Sequence, residues 1–151
     1  MAEITLNGTE LRPSNHKITA WIRSGFYGPA EYRGANDIIP EAAGQEFGQW
    51  LADRRNVELA LLLQGFGVTE VLAQQDFLTT VTALRTIFIA SQAAPVDLRV
   101  YSPLYGIASG YRHLSVRWVN SIEDQVIAGQ RQTMTVRFEC VDSPPDWVAV
   151  P

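Results

Sequence analysis

The sequence predicts a mainly β chain: a β-sandwich or small barrel with one α-helix packed against it and with long loops. Two segments, 110–121 and 131–141, alternate apolar and polar residues with the two-residue period of a strand. A third segment, 76–90, repeats its apolar residues every three or four positions, as a helix does. No linker or repeat divides the 151 residues, so we expect a single domain over residues 1–151.

Two strands are predicted near the N-terminus. Residues 3–11 have strand character around Asn7-Gly8, a dipeptide typical of hairpin turns. Residues 16–22 alternate, with isoleucines and an alanine on one face and polar residues and a tryptophan on the other. Residues 24–50 contain several glycines and prolines, which predict one long loop.

An apolar strand and the helix come next. Residues 56–67 are apolar on both faces in their middle, which predicts a central strand covered on both sides. The helix is expected to begin at Asp76 as the N-cap, although the preceding segment TEVLAQQ (69–75) is compatible with a further turn. Its apolar face consists of Phe77, Val81, Leu84 and Phe88.

The C-terminal half is predicted to be β-structure. Residues 94–103 form one strand, and the long strands 110–121 and 131–141 should pair antiparallel. Between the long strands, residues 122–130 are expected to make an extended hairpin tip. The tail, 142–151, contains three prolines and is predicted to leave the sheet.

The sequence contains no pattern typical of catalysis, metal binding or cofactor binding. The two histidines, His16 and His113, lack metal-ligand spacing, and Cys140 alternates with apolar residues as a buried thiol would. Glu123-Asp124 is interpreted as solvated turn charge rather than as a general acid and base. We therefore expect a protein that is not an enzyme, with no catalytic residue, no metal and no cofactor.

Composition argues against two further classes of protein. The formal net charge is −4 and no basic run is present, so specific nucleic-acid binding is not expected. The longest apolar runs are far shorter than a bilayer requires, so membrane insertion is not expected. Hydrophobic residues make up 46% and charged residues 19%, which is the composition of a folded domain.

Two long apolar segments are candidates for a subunit interface. Residues 33–50 and 122–128 both lie between predicted elements, yet both carry large apolar side chains. Exposed apolar patches usually mark association surfaces, and long loops in small domains are usually functional. The alternative is that both loops fold back on their own domain. The candidate interface residues are Ile38, Ile39, Phe47, Trp50, Ile122, Val126 and Ile127.

The order of these segments resembles a known family. Two N-terminal strands precede GANDIIPEAAGQ and RRNVELALLLQGFG; the helix FLTTVTALRTIFIA follows, then PVDLRVYSP, YRHLSVRWVN and MTVRFECVDSPPDW. In this order and spacing the chain resembles the N-terminal domain of distal tail proteins, or minor tail proteins, of long-tailed phages (siphoviruses). The resemblance covers nearly the whole chain but includes no catalytic signature.

The resemblance implies a fold, an assembly and a location. The fold would be a β-sandwich of the tail-tube type, flanked by a helix. Six copies would form a ring at the distal end of the virion tail, joining the tail tube protein on one side to the tail tip or baseplate proteins on the other. DNA would pass through the central channel, which the tape measure protein occupies beforehand, and a net negative charge suits such a lining. Many family members add a galectin-like second domain, which this chain is expected to lack.

Two other functions fit parts of the sequence. A tail tube or tail terminator subunit would have the same fold but a different position in the tail. A small carbohydrate-binding β-sandwich would need exposed aromatic residues on one sheet face, for which Trp21 and Tyr111 are the best candidates.

Overall fold

An eight-stranded antiparallel sheet and one long helix form the body of the protein in the computed structural model. The structure describes residues 4–26, 32–33, 36–38, 45–47, 51–52, 55–101, 110–127, 129–142 and 148–150. The described elements are β1 Ile4–Leu6, β2 Thr9–Glu10, β3 Ile18–Ser24, β4 Tyr32–Arg33, β5 Asn36–Ile38, β6 Gln45–Phe47, β7 Leu51–Ala52, β8 Asn56–Gln64, α1 Glu70–Ala93, β9 Val96–Val100, β10 Tyr111–Ile127, β11 Arg131–Cys140 and β12 Val148–Val150.

The long strand β10 belongs to both halves of the sheet, whose order is β2-β1-β9-β10-β11-β8-β3. Residues 112–116 of β10 pair with β9, whereas residues 116–127 pair with β11. We call β2, β1, β9 and the start of β10 the first half-sheet, and the rest of β10 with β11, β8 and β3 the second half-sheet. Each of two register shifts in β10 inserts one extra residue, Val119 and then Asp124; such bulges bend and twist a strand.

Both half-sheets and the helix share one apolar core. Buried residues of every long strand join Phe77, Leu84 and Phe88 of α1 in a single cluster. Phe88 contacts Phe138 of β11 edge to face, with ring centroids 5.7 Å apart, and stacks on Trp118 of β10 at 6.1 Å. The predicted class, a mainly β sandwich-like domain flanked by one helix, is therefore confirmed.

The N-terminal hairpin and the pairing of the two long strands are as predicted. Asn7 and Gly8 both have positive φ, 51° and 78°, as the two-residue turn between β1 and β2 requires. Strands β10 and β11 pair antiparallel, and the apolar residues of β11 face the core. The alternation of β3 is also confirmed: Ile18 and Ala20 are buried, whereas Trp21 is exposed.

The helix begins earlier than predicted. Its N-cap is Thr69, whose backbone is extended and whose Oγ1 accepts the N–H of Leu72 at 3.2 Å. Asp76 lies inside the helix and was wrong as the N-cap. Its carboxylate instead accepts Lys17 Nζ at 2.6 Å and the N–H of Phe66 at 3.0 Å. These two hydrogen bonds, that from Lys17 contributing more, lower the pKa of Asp76.

Three further predictions need correction. Strand β8 is buried on one face only, because the helix covers its inner face while its outer face stays partly exposed. Residues 122–127 continue β10 instead of forming a hairpin tip, since β11 pairs with them as far as Ile127. The proline-containing tail returns to the sheet, where β12 pairs with residues 111–113 of β10.

The GFG segment, residues 65–67, brings the backbone of the β8–α1 turn against the first turns of the helix. A Cβ atom on Gly65 would lie 2.0 Å from the carbonyl oxygen of Ala73, and one on Gly67 would lie 2.5 Å from the Ala73 nitrogen. Only glycine leaves room for these approaches. The glycines therefore serve packing between the sheet and the helix.

Candidate assembly surfaces

The predicted interface loop, residues 33–50, contains β-structure. Strand β4 pairs with β7 and strand β5 pairs with β6, so the chain doubles back as two nested pairs, which we call the nested hairpin (residues 32–52). The prediction of one long loop without strands was therefore wrong. Ile38 is the last residue of β5 and Phe47 is the last residue of β6. In this pair of strands, Phe47 is opposite Asn36. Ile39 and Trp50 lie outside the described residues, and the interface role of all four stays a prediction.

A buried arginine holds together the two chain ends that flank this hairpin. Arg55 is 4% exposed, and its Nη1 donates to the carbonyl oxygens of Phe26 at 2.9 Å and Gly25 at 3.1 Å. Phe26 is fully buried in the core, and the carbonyl of Arg55 accepts the N–H of Cys140 at 2.7 Å. The root of the nested hairpin is thus fixed to the second half-sheet.

The predicted apolar tip around Ile122, Val126 and Ile127 does not form a single surface. The extra residue Asp124 shifts the register, so Ile122 pairs with Thr135 on the outer face while Val126 pairs with Gln132 on the core-facing side. Ile122 is 54% exposed and Val126 is 56% exposed. Ile127 pairs with Arg131 at the last position of the strand. Both described side chains are accessible to a partner, but from opposite faces of the sheet.

The second half-sheet ends in an unpaired strand on each side. Strand β3 pairs with β8 alone, and no strand in the described part of the chain pairs with the other edge of β10 beyond Val116. Unpaired edges present rows of free N–H and C=O groups and readily pair with another chain. Sequence alternation predicts strands but not their order, so these two edges could not be found from the sequence.

One row of side chains crosses the outer face of the second half-sheet from edge to edge. The register aligns Trp21 on β3, Ala60 on β8, Thr135 on β11 and Ile122 on β10. Trp21 and Ile122, at the two edges, are about half exposed, whereas Thr135 is buried. Thr135 Oγ1 accepts Arg23 Nη1 at 3.2 Å and donates to Asp124 at 3.3 Å. The face is therefore apolar at both edges and polar at its centre.

A further exposed apolar patch lies at the β8–α1 turn and was missed by the sequence reading. Phe66, Val68, Val71 and Leu72 are all exposed, Val68 almost completely. We call these four residues the turn patch. The signal was present in the sequence, because Val71 and Leu72 fall outside the apolar face of the helix that follows.

The two histidines and the cysteine, which the sequence offered as candidates for chemistry, all lie in the described part of the chain. His113 Nδ1 lies 3.1 Å from Asp97 Oδ1, and Arg99 Nε donates to the other Asp97 oxygen at 2.6 Å. Burial raises the pKa of the Cys140 thiol to about 11, so the thiol stays protonated at neutral pH. His16 lies in the exposed β2–β3 connection with a φ of 58°.

Neither a metal cluster nor a membrane-spanning helix occurs in the described part of the chain. Among those residues no group of three or more His, Cys, Asp or Glu side chains could hold a metal ion. The same stretches contain no helix that is both long and apolar enough to cross a bilayer.

The fold is one that occurs in a phage hub protein. A solved structure with this fold is that of the SPP1 Dit protein (gp 19.1), described as a paradigm of the hub adsorption apparatus in phages that infect Gram-positive bacteria. The two structures align with a TM-score of 0.62 at 14% sequence identity, over 93% of this chain and 49% of Dit. This chain therefore spans about half the length of Dit, and at this identity the likeness is one of fold. No protein-family model and no curated protein matches the sequence.

Proposed function

We propose that this chain is a structural subunit of a phage tail, of the distal tail adaptor type, and has no enzymatic activity. Six copies would form a ring at the distal end of the tail, joining the tail tube protein to the tail tip or baseplate proteins. The likeness to Dit supports the tail assignment, because it extends over 93% of this chain. The two unpaired edges of the second half-sheet support ring formation, and they carry the proposal.

The direction of the strands suits closure of a ring. All neighbouring strands of the second half-sheet are antiparallel, so its two edge strands, β10 and β3, run in opposite directions. When β3 of one copy pairs with β10 of the next, the joint is also antiparallel. Such a contact is heterologous, and a heterologous contact closes into a ring when the rotation between copies allows it.

The strand count suits a channel. Four strands per copy give 24 strands for six copies, taking the four strands from the sheet order. At about 4.8 Å per strand, the circumference is about 115 Å and the backbone diameter about 37 Å before strand tilt widens it. Barrels of 16–18 strands already leave an aqueous channel. The proposed ring would thus be open enough for the tape measure protein and later for DNA.

The outer face of the second half-sheet would line this channel, because the core and the helix cover the inner face. Its charges are mixed rather than predominantly negative: Arg23, Arg117, Arg131 and Arg137 against Glu58, Asp124 and Glu139. Arg137 is neutralised by Glu58, with an N–O distance of 2.8 Å. A lining that mixes both signs of charge, with Arg137 held by Glu58, would hold phosphates less strongly than a basic lining.

An adaptor also needs two different surfaces for two different neighbours. The root of the nested hairpin adjoins the first residue of β8, whereas the turn patch follows its last residue, Gln64. Nine strand residues span about 27 Å. These two surfaces would lie at opposite ends of the ring, one toward the tail tube and the other toward the tip, and the nested hairpin would also contact the neighbouring copy.

The native mass of the purified protein, with negative-stain images of the same sample, tests the proposal. We expect rings of about six times 16.8 kDa with a central hole. Long tubes would favour the alternative of a tail tube subunit. A protein that stays monomeric at high concentration would contradict a ring that closes through its own edges.

A matched pair of variants tests the edges themselves. Trp21→Lys places a charge at the β3 edge and should prevent ring formation without unfolding the domain, because Trp21 is 48% exposed. Leu78→Lys is the control, since Leu78 is 59% exposed and belongs to the helix rather than to either edge strand. Equal assembly of the two variants would remove the β3 edge from the interface.

A further inference from the structure

Helix α1 has two flanks, and an open groove runs along one of them. The groove lies between the helix and the edge of β10, has a volume of about 280 Å³, and we call it the edge groove. Its floor is apolar, formed by core residues of the helix and of the second half-sheet: Leu63, Val81, Leu84, Phe88, Trp118 and Met134.

Two opposite charges lie along the edge groove. Arg85 comes from the exposed side of the helix and Glu123 from the unpaired edge strand β10. Both side chains are exposed, and neither has a hydrogen-bond or ion-pair partner within the described part of the chain. An apolar floor flanked by these two opposite charges is suited to a segment that carries one charge of each sign.

The other flank of the helix contacts the connection between β2 and β3. Thr9, Pro13, Asn15 and Lys17 line a shallow depression there, and Leu84 of the helix lines both this depression and the edge groove. We call residues 9–17 the β2–β3 turn. Leu11 anchors it in the core, while Glu10 and Arg12 on either side are exposed. This turn precedes β3, so it lies beside the opposite edge of the second half-sheet.

We propose that the edge groove of one copy receives the β2–β3 turn of the next copy in the ring. The inference rests on the proposed ring, because pairing of β3 with the neighbour's β10 brings this turn to the groove beside that β10. The charges are complementary: Arg12 of the turn would face Glu123 of the neighbour's groove, and Glu10 would face Arg85. The contact adds side-chain interactions on the helix side of the sheet to the backbone pairing of the two edge strands. It also ensures that β3 of one copy pairs with β10 of the next.

Charge reversal tests this contact. Arg12→Glu and Glu123→Arg should each raise the concentration needed for half-assembly at least about tenfold, because each places like charges together. The double variant Arg12→Glu with Glu123→Arg should return to within about threefold of the native chain. Glu10→Arg with Arg85→Glu provides a second cycle, which is needed because Arg12 also has a partner in its own chain.

Sedimentation velocity over a concentration series measures assembly, and thermal melting verifies that each variant is folded. Glu70→Arg is the control, because it reverses an exposed charge at the helix start, outside the groove. Rescue in either cycle supports the proposal. If the native protein forms rings and neither double variant recovers assembly although both are folded, the groove contact is wrong while the proposed ring stands. A native protein that forms no ring would overturn the proposed ring, and this contact with it.

Discussion

Replacement of Arg55 by methionine tests whether the root of the nested hairpin is held by this one side chain. Arg55 is nearly fully buried, and its Nη1 donates to the carbonyl oxygens of Gly25 and Phe26. Methionine fills a similar volume but donates no hydrogen bond. The carbonyl of Phe26 would then lose the buried hydrogen bond from Arg55.

The expected loss follows from the two hydrogen bonds. A hydrogen bond from a charged donor contributes about 1.5–3 kcal/mol, and removing a buried charge returns part of its desolvation cost. We therefore expect Arg55→Met to lower the free energy of unfolding by about 2–4 kcal/mol. For a chain of this length, each kcal/mol lowers Tm by about 2–4 °C, so the expected loss is roughly 4–16 °C.

Calorimetry of the native chain and of Arg55→Met measures this loss, and limited proteolysis reports on residues 27–54. Arg55→Lys is the control, because it keeps the charge but offers a single ammonium group in place of the planar guanidinium. It should fall between the native chain and Arg55→Met. If Arg55→Met melts within 2 °C of the native chain, and residues 27–54 are cleaved no faster, then other contacts hold the root and our reasoning fails.

Three other perturbations have defined outcomes. Gly65→Ala should lower the free energy of unfolding by about 2 kcal/mol or more in urea titrations, because its Cβ would overlap the carbonyl of Ala73, whereas Gly8→Asn in the open turn should be nearly neutral. Asp76→Asn should cost about 1 kcal/mol at pH 7. Because the pKa of Asp76 is lowered in the folded state, the stabilisation by its carboxylate is complete above the unfolded pKa and disappears as pH falls through the folded pKa. The urea unfolding curves of the native chain and of Asp76→Asn should therefore converge in acid. Ile38→Asp with Ile39→Asp should leave Tm unchanged but prevent ring formation by native mass, and unchanged assembly would remove the nested hairpin from the interface.

The sequence allowed prediction of the parts of the fold that repeat with a fixed period. The alternation in β11 and the four-residue spacing from Phe77 onward describe faces that pack on one core, so pattern alone identifies them. The helix start was misjudged because both Thr69 and Asp76 are good N-caps. Only the tertiary structure distinguishes the two candidate N-caps, because it brings the carboxylate of Asp76 to Lys17 and to the backbone of Phe66.

The candidate surfaces were less predictable, because they depend on strand order and register. Residues 33–50 lack a simple period, and their strands pair with each other over only two or three residues. The turn patch, by contrast, can be found in the sequence as apolar residues outside the apolar face of the helix. Neither sheet edge can be derived from alternation, since a paired strand and an edge strand have the same pattern.

The two bulges of β10 explain why the acidic pair Glu123-Asp124 has the sequence pattern of a turn although it lies in a strand. In an undisturbed strand, Ile122 and Val126 would share the face of Trp118, but that face would also carry Asn120 and Asp124. The extra residues Val119 and Asp124 exchange the two faces of the strand, so the sequence shows no two-residue alternation there. The same two bulges turn Glu123 toward the edge groove and bring the carboxylate of Asp124 to Thr135 on the outer face. Bulges are common at sheet edges, where they aim side chains and limit uncontrolled pairing. In β10 they would do both: they break the regular edge that any strand could join, and they place the charge that selects a neighbouring copy.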